Sequence, residues 1–184
     1  MSLRAFIAVE IGPMEELVVF LDEIRNTGAD IKLVEPENIH ITLKFLGDIN
    51  EDLVPEICNI ITDASSDVEP FSLKLLDTGA FPNLNYIKVL WVGLDDPGPL
   101  PVLAKVLDNK LHQLGFNKEK RGFKPHVTLG RVKSRKNKEA LKQILIKNQN
   151  RDFGKIYVKS ICLKRSILSS KGPTYYTLYD AKLK

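Results

Sequence analysis

Two hydrophobic periodicities alternate along this chain of 184 residues, one typical of strands and one typical of helices. Apolar residues recur at every second position in several stretches, which predicts strands at 4–11, 31–34, 39–46, 71–76, 86–93, 126–132, 155–169 and 174–183. Between them, apolar residues stand three or four positions apart, which predicts helices that begin near Pro13, Asn50, Pro97 and Lys138. Strands mixed in this way with helices predict an α+β protein.

The order of these elements repeats once along the chain. Each half runs strand, helix, strand with a histidine, helix and strand, first in about 2–80 and again in 86–184. We therefore expect a single domain over residues 1–184, built as two pseudo-symmetric lobes around a central cleft. Each lobe is expected to have an antiparallel sheet with two helices on its outer face. Loops longer than a few residues are expected only near Phe81 and Asn117.

Charge is distributed unevenly between the two halves. The net charge is +4, but residues 1–92 hold 6 basic and 16 acidic residues, whereas residues 93–184 hold 21 basic and 7 acidic ones. The densest basic stretch is 118–136, which contains a single acid, Glu119. Such asymmetry indicates either a polyanionic partner bound by the second half or a solvated surface that balances the acidic half.

Composition indicates a soluble protein of a reducing compartment, and we expect a cytoplasmic location. The chain is 43% hydrophobic and 27% charged, which is typical of globular proteins. No apolar run has the length of a membrane span, and the N-terminus has no signal-peptide pattern. The two cysteines, Cys58 and Cys162, are far apart and form no CxxC motif, so both are expected to be thiols.

Two of the three histidines occupy corresponding strands of the repeat, each followed two positions later by a threonine. Because side chains alternate along a strand, His40 and Thr42 share one face, and His126 and Thr128 share one face. On the same reasoning Lys44 joins the first polar face. The opposite, core face is expected to hold Ile39, Ile41, Leu43 and Phe45 in the first strand and Val127 and Leu129 in the second.

A pair of His-x-Thr strands facing each other suits acid–base chemistry at a phosphodiester. One imidazole can remove a proton from an attacking hydroxyl while the other protonates the leaving oxygen. Threonine hydroxyls can donate hydrogen bonds to phosphate oxygens, and lysines or arginines can neutralise their charge. We expect no metal and no cofactor, because the motifs lack a zinc ligand set and the chain has no P-loop and no G-x-S-x-G.

The residues around both histidines resemble those of the RNA 2′,3′-cyclic phosphodiesterase family, also called the 2′-5′ RNA ligase family. The stretches that carry the resemblance are RAFIAV at 4–9, HITLKFLG at 40–47 and FKPHVTLGR at 123–131. The resemblance implies a bilobal fold whose two His-x-Thr strands face a cleft. It also implies an enzyme that opens RNA 2′,3′-cyclic phosphates to 2′-phosphomonoesters without metal or nucleotide, and in some members joins tRNA halves through 2′-5′ links.

The same resemblance implies roles for the four motif side chains. His40 would donate a proton to the departing 3′ oxygen, His126 would accept one from water, and Thr42 and Thr128 would hold the phosphate. Spacing alone leaves donor and acceptor interchangeable. The partners implied are RNA 3′ ends, with tRNA halves among them. We expect the protein to act as a monomer and to have no membrane partner.

Candidate RNA contacts outside the motifs are Lys124, Arg131 and Lys171. Simple alternation directs Arg131 away from the histidine face, although its position at the strand end would let it bend towards a phosphate. Three other functions remain open from the residues: hydrolysis of 2′-5′ oligonucleotides, opening of cyclic nucleotide-sugar phosphates, and RNA binding without catalysis.

Overall fold

A computed structural model describes residues 2–169 and 172–184, which contain nine strands and four α helices. The strands are β1 (Ser2–Glu10), β2 (Ile31–Leu33), β3 (His40–Asn50), β4 (Phe71–Asn83), β5 (Tyr86–Leu94), β6 (Val127–Val132), β7 (Asp152–Val158), β8 (Ser160–Ser169) and β9 (Gly172–Lys182). The helices are α1 (Glu15–Asn26), α2 (Val54–Ser65), α3 (Leu100–Gln113) and α4 (Lys138–Lys147), and short 3₁₀ turns cover Pro36–Asn38 and Glu51–Leu53.

The strands form one curled antiparallel sheet with a symmetric order. That order is β7-β4-β5-β6-β3-β1-β8-β9, and β2 pairs with β6 outside this path. Four strands thus lie on each side of the junction between β6 and β3, where Ile41 pairs with Val127. The predicted α+β class with two lobes is confirmed. The strands of the two lobes join into one sheet through this junction.

The lobes do not correspond to the halves of the sequence, because the chain crosses between them. β4 belongs to the first half of the chain but pairs with β5 of the second half. β8 belongs to the second half but pairs with β1 of the first half. Helices α2 and α3 pack together beside β3, β8 and β9, whereas α1 lies against β2 and β7 and α4 against β4. Each lobe therefore contains one helix from each half of the chain.

The core lies between the helices and the convex face of the sheet. Helix α1 buries Leu17, Phe20, Leu21 and Ile24, which are spaced by three or four residues as the pattern predicts. Strand β1 contributes Leu3, Ala5, Ile7 and Val9 to the same core cluster. Each large apolar side chain removed from water contributes about 1.5–3 kcal/mol to stability, so this packing holds the helices against the sheet. No helix of the described residues is both long and apolar enough to span a membrane.

Candidate active site

The junction between β3 and β6 brings the two His-x-Thr motifs side by side. Because Ile41 and Val127 are antiparallel partners, His40 stands across from Thr128 and Thr42 across from His126. Their buried partners Ile41 and Val127 face the core, so all four polar side chains project from the concave face. The two histidines are then diagonal neighbours, with backbones roughly 7–8 Å apart, a separation that one phosphate group can bridge.

The two imidazoles are oriented by equivalent hydrogen bonds. His40 Nδ1 lies 2.6 Å from the carbonyl oxygen of Asn38, and His126 Nδ1 lies 2.7 Å from that of Lys124. A carbonyl can only accept, so each Nδ1 carries the proton and donates it. The 3₁₀ turn that ends at Asn38 supplies the first acceptor. In both rings Nε2 is left as the nitrogen that can take or give a proton in the cleft.

Burial lowers the pKa of both histidines below the ordinary value of 6.5. For His40 the largest cause is desolvation, to which the charge of Lys164 adds, while the hydrogen bond to Asn38 opposes it. For His126 desolvation is again the largest cause, and the charge of Arg131 lowers the pKa further. Both rings are therefore mainly neutral at pH 7 in the free protein, and a bound phosphate anion would favour protonation of either.

A bulge directly after each motif changes which side chains reach the cleft. Leu43 has no partner in β1, since Thr42 pairs with Ala8 and Lys44 with Ile7, and Leu129 likewise has no partner in β5. The extra residue reverses the alternation beyond it. The expectations that Lys44 shares the histidine face and that Phe45 lies in the core are therefore wrong.

Lys44 is 7% exposed, whereas Phe45 is 66% exposed. The ring of Phe45 lies 6.3 Å from that of Phe6, and Phe6 in turn lies 5.0 Å from the ring of His40. Phe45 therefore extends along the histidine side of the sheet. Lys44 instead projects to the helix side and contacts Asp108 of α3.

The equivalent bulge in β6 places Arg131 on the same face as Thr128, so the prediction that it points away from the histidines is wrong. Its charge acts on both His126 and Tyr175. The side chain of Lys124 is exposed, and its carbonyl holds His126. The third predicted RNA contact, Lys171, lies outside the described residues.

Aromatic rings flank both histidines, and the sequence patterns did not single out most of them. Phe6 and Tyr175 lie 5.0 Å apart, and the ring of Tyr175 is 5.5 Å from His40 and perpendicular to it. On the other side, Phe81 meets His126 edge-on at 4.8 Å. The two imidazoles are thus confined by packing, and the side of His40 is richer in exposed aromatic surface.

Trp91 completes the wall beside His126. Its ring lies 5.5 Å from that of Phe81, and Trp91 is the register partner of Thr128. Its indole Nε1 is buried without a hydrogen-bond partner among the described residues. Within that same part of the chain, no three or more His, Cys, Asp and Glu side chains group closely enough to hold a metal ion.

Comparison with known proteins places this geometry in a family. A model described as LigT-like phosphoesterase matches the chain twice, over residues 9–91 and 92–175. A Methanocaldococcus jannaschii protein named RNA 2′,3′-cyclic phosphodiesterase is 42% identical over 180 residues, which cover 97% of this chain and 99% of the relative. A protein of the same name from Methanothermobacter thermautotrophicus is 38% identical over 177 residues, with 95% and 96% covered.

Solved structures agree with this placement. A Thermus thermophilus protein superposes with a TM-score of 0.80 at 28% identity, covering 98% of each chain. E. coli LigT in complex with 3′-AMP is 22% identical and superposes with a TM-score of 0.78 over 100% of this chain and 99% of its own. This superposition shows a shared fold. The resemblance seen in the motifs is confirmed, and the chain belongs to the LigT-like phosphoesterase family.

Proposed function

We propose that this protein is an RNA 2′,3′-cyclic phosphodiesterase that hydrolyses cyclic phosphate ends to 2′-phosphomonoesters. The observation that carries the proposal is the quartet of His40, Thr42, His126 and Thr128 on one face of the β3–β6 junction. Relatives at 38–42% identity bear that name. The quartet provides two proton-transfer groups and two hydroxyl donors, which are the groups that opening a cyclic phosphodiester requires.

In the proposed reaction His126 Nε2 accepts a proton from water as the water oxygen attacks phosphorus. The bond between phosphorus and the 3′ oxygen breaks, and His40 Nε2 gives its proton to that oxygen. The products are a 2′-phosphomonoester and a free 3′ hydroxyl. Thr42 and Thr128 donate hydrogen bonds to the non-bridging oxygens, and Arg131 offsets their negative charge. Each proton transfer contributes about 10² to 10⁴ in rate.

The same roles allow a 2′-5′ ligation. If an RNA 5′ hydroxyl replaces water, His126 accepts its proton, the 3′ oxygen leaves, and a 2′-5′ phosphodiester results. The reaction is reversible because each histidine ends in the state that the reverse step needs. We therefore propose ligase activity as a second outcome at this one site.

We also propose the cellular setting. Residues 1–184 act as one domain and as a monomer on RNA 3′ ends, with tRNA halves among the substrates. The cytoplasm is supported by the two cysteines, which are both free thiols, as is usual in reducing compartments. Burial and the nearby carboxylates raise the pKa of Cys162 to about 12, so this thiol is unreactive at neutral pH.

The test is turnover of an oligoribonucleotide that ends in a 2′,3′-cyclic phosphate, in the presence of EDTA. We expect a 2′-phosphate product and losses of about 10² to 10⁴ in kcat for His40→Ala and for His126→Ala. His112→Ala is the matched control, because His112 is on α3 and bonds only the nearby Phe116 carbonyl oxygen among its described contacts. Binding without product, unchanged in the double histidine variant, would instead identify an RNA-binding module.

A substrate with sulfur at the bridging 3′ position separates donor from acceptor. A thiolate leaves readily without a proton, so the variant that lacks the donor should recover most of its activity on this substrate. We expect recovery in His40→Ala and none in His126→Ala. Recovery in His126→Ala alone would exchange the two roles and leave the reaction itself intact.

A further inference from the structure

A strongly basic groove adjoins the active-site cleft at the end of β6. Its volume is about 690 Å³, within the range of nucleotide-sized sites. It lies where the start of β5, the end of β6 and the first turn of α4 meet. We call it the basic groove and define it by the residues Tyr86, Lys88, Arg131, Lys133, Arg135 and Lys138.

The positive charges of the basic groove are not balanced locally. Five of the ten residues that line it are cationic and none is acidic. None of the five takes part in an ion pair among the described residues, whereas cations elsewhere, such as Arg151 and Lys164, have carboxylate partners. Like charges gathered without counter-charges repel one another, and a polyanion would relieve that repulsion.

An aromatic ring accompanies these charges. Tyr86 is 51% exposed at the entrance of the groove. Lys88 Nζ lies 5.0 Å and Lys138 Nζ 5.9 Å from the centre of its ring. Cations interleaved with an exposed aromatic ring are typical of surfaces that bind single-stranded nucleic acid, since a base can stack while the phosphates meet the cations.

The basic groove is continuous with the cleft through Arg131. The charge of Arg131 lowers the pKa of His126, and the residue also lines the groove. Its register partner in β5 is Val89, another groove residue, and Val89 pairs on its other side with Phe81, whose ring meets His126. The groove therefore opens directly from the cleft on the side of His126.

We propose that the basic groove binds the RNA backbone on the 5′ side of the terminal nucleotide. This inference rests on the proposed function, because an RNA that ends in a 2′,3′-cyclic phosphate extends from the cleft only in the 5′ direction. Upstream phosphodiesters meet the lysines and arginines, and an upstream base stacks on Tyr86. The groove makes the enzyme prefer oligonucleotide ends to cyclic mononucleotides.

The experiment compares a hexaribonucleotide ending in a 2′,3′-cyclic phosphate with a nucleoside 2′,3′-cyclic phosphate. Three charge reversals test the groove: Lys88→Glu, Lys133→Glu and Arg135→Glu. Each should raise KM for the hexamer about tenfold. Each should also reduce the slope of log(kcat/KM) against log salt concentration by about one, the value for one lost phosphate contact. Tyr86→Ala should raise the same KM about tenfold through lost stacking. The matched control is Lys105→Glu. Lys105 is an exposed residue of α3 in the other lobe, so the variant makes the same charge change away from the groove.

Equal effects of the groove variants on both substrates, or effects no larger than that of Lys105→Glu, would overturn the proposal. If the wild-type protein turns over neither substrate, the proposed function fails and the groove is judged separately. Anisotropy of a labelled hexaribonucleotide 2′-phosphate then measures binding. Weaker binding in the groove variants alone supports the groove, and unchanged binding rejects it.

Discussion

Replacement of Lys44 by methionine tests how the first histidine strand is tied to the loop that carries the second histidine. The ammonium of Lys44 is 2.5 Å from Asp108 Oδ1 and 2.6 Å from the carbonyl oxygen of Asn117. Asp108 also accepts the N–H of Glu119, at 3.1 Å. Lys44→Met keeps the apolar stem and removes the charge, so it leaves a carboxylate and a carbonyl without their shared donor.

The magnitude follows from burial. Removal of one partner of a buried ion pair costs about 3–5 kcal/mol. The side chain of Lys44 is 7% exposed and that of Asp108 is 18% exposed, so water can reach the carboxylate in part. We therefore expect the lower end, about 3 kcal/mol in the free energy of unfolding. With a denaturant slope of about 2 kcal/mol per molar, the urea midpoint should fall by about 1.5 M.

Urea unfolding followed by far-ultraviolet circular dichroism is the assay. Lys110→Met is the matched control, because Lys110 is also paired with an aspartate, Asp63, but the two side chains are 40% and 66% exposed. Such exposed pairs contribute at most about 1 kcal/mol. The double variant Lys44→Met/Asp108→Leu should regain part of the loss, since no unpaired carboxylate remains. Equal midpoints for Lys44→Met and Lys110→Met would refute the reasoning.

Three further outcomes can be checked by kinetics. The profile of kcat/KM against pH should be a bell with its maximum below 6.5, since one imidazole must be protonated and the other neutral and burial lowers both the pKa of His40 and that of His126; a maximum above pH 7.5 would contradict this. Gly79→Ala should lower kcat, because a Cβ there would overlap the ring of Trp91. An unchanged kcat would show that the Trp91 ring can move without disturbing the active site. Phe45→Ala should change the free energy of unfolding by no more than about 0.5 kcal/mol while raising KM, because this exposed ring has little packing to lose and can stack on a base.

Local alternation was enough to identify the four motif side chains, and it failed for the residues that follow the bulge in each strand. His40 and Thr42 are two positions apart within regular strand, so they necessarily share a face. Leu43 is buried as predicted, but it is the residue inserted into the pairing with β1, so the failure begins at Lys44. Leu43 and Lys44 read as an ordinary apolar–polar alternation, so the insertion is visible only in the register of the partner strand.

The extent of β4 also depended on its neighbours. The run from Phe81 to Asn85 contains proline and asparagine, which are typical of loops and predict a loop there. In the structure β4 continues to Asn83 and pairs with β5. Proline is tolerated because β7 pairs only with the first part of β4, up to Leu76, so Pro82 needs no donor on that side.

Pseudo-symmetry explains the chemistry of the cleft, and departures from it explain recognition. Each histidine donates to the backbone carbonyl two residues before it and is followed three residues later by a bulge. Either ring could therefore serve as acid or base. The residues that follow the bulges differ, with Phe45 on one side and Arg131 on the other. A ring and a guanidinium at equivalent positions would give the cleft a direction under the proposed function, since a base can stack on one and a phosphate can pair with the other. Exchange of donor and acceptor would require the bound nucleotide to turn around, and we expect these two side chains to oppose that.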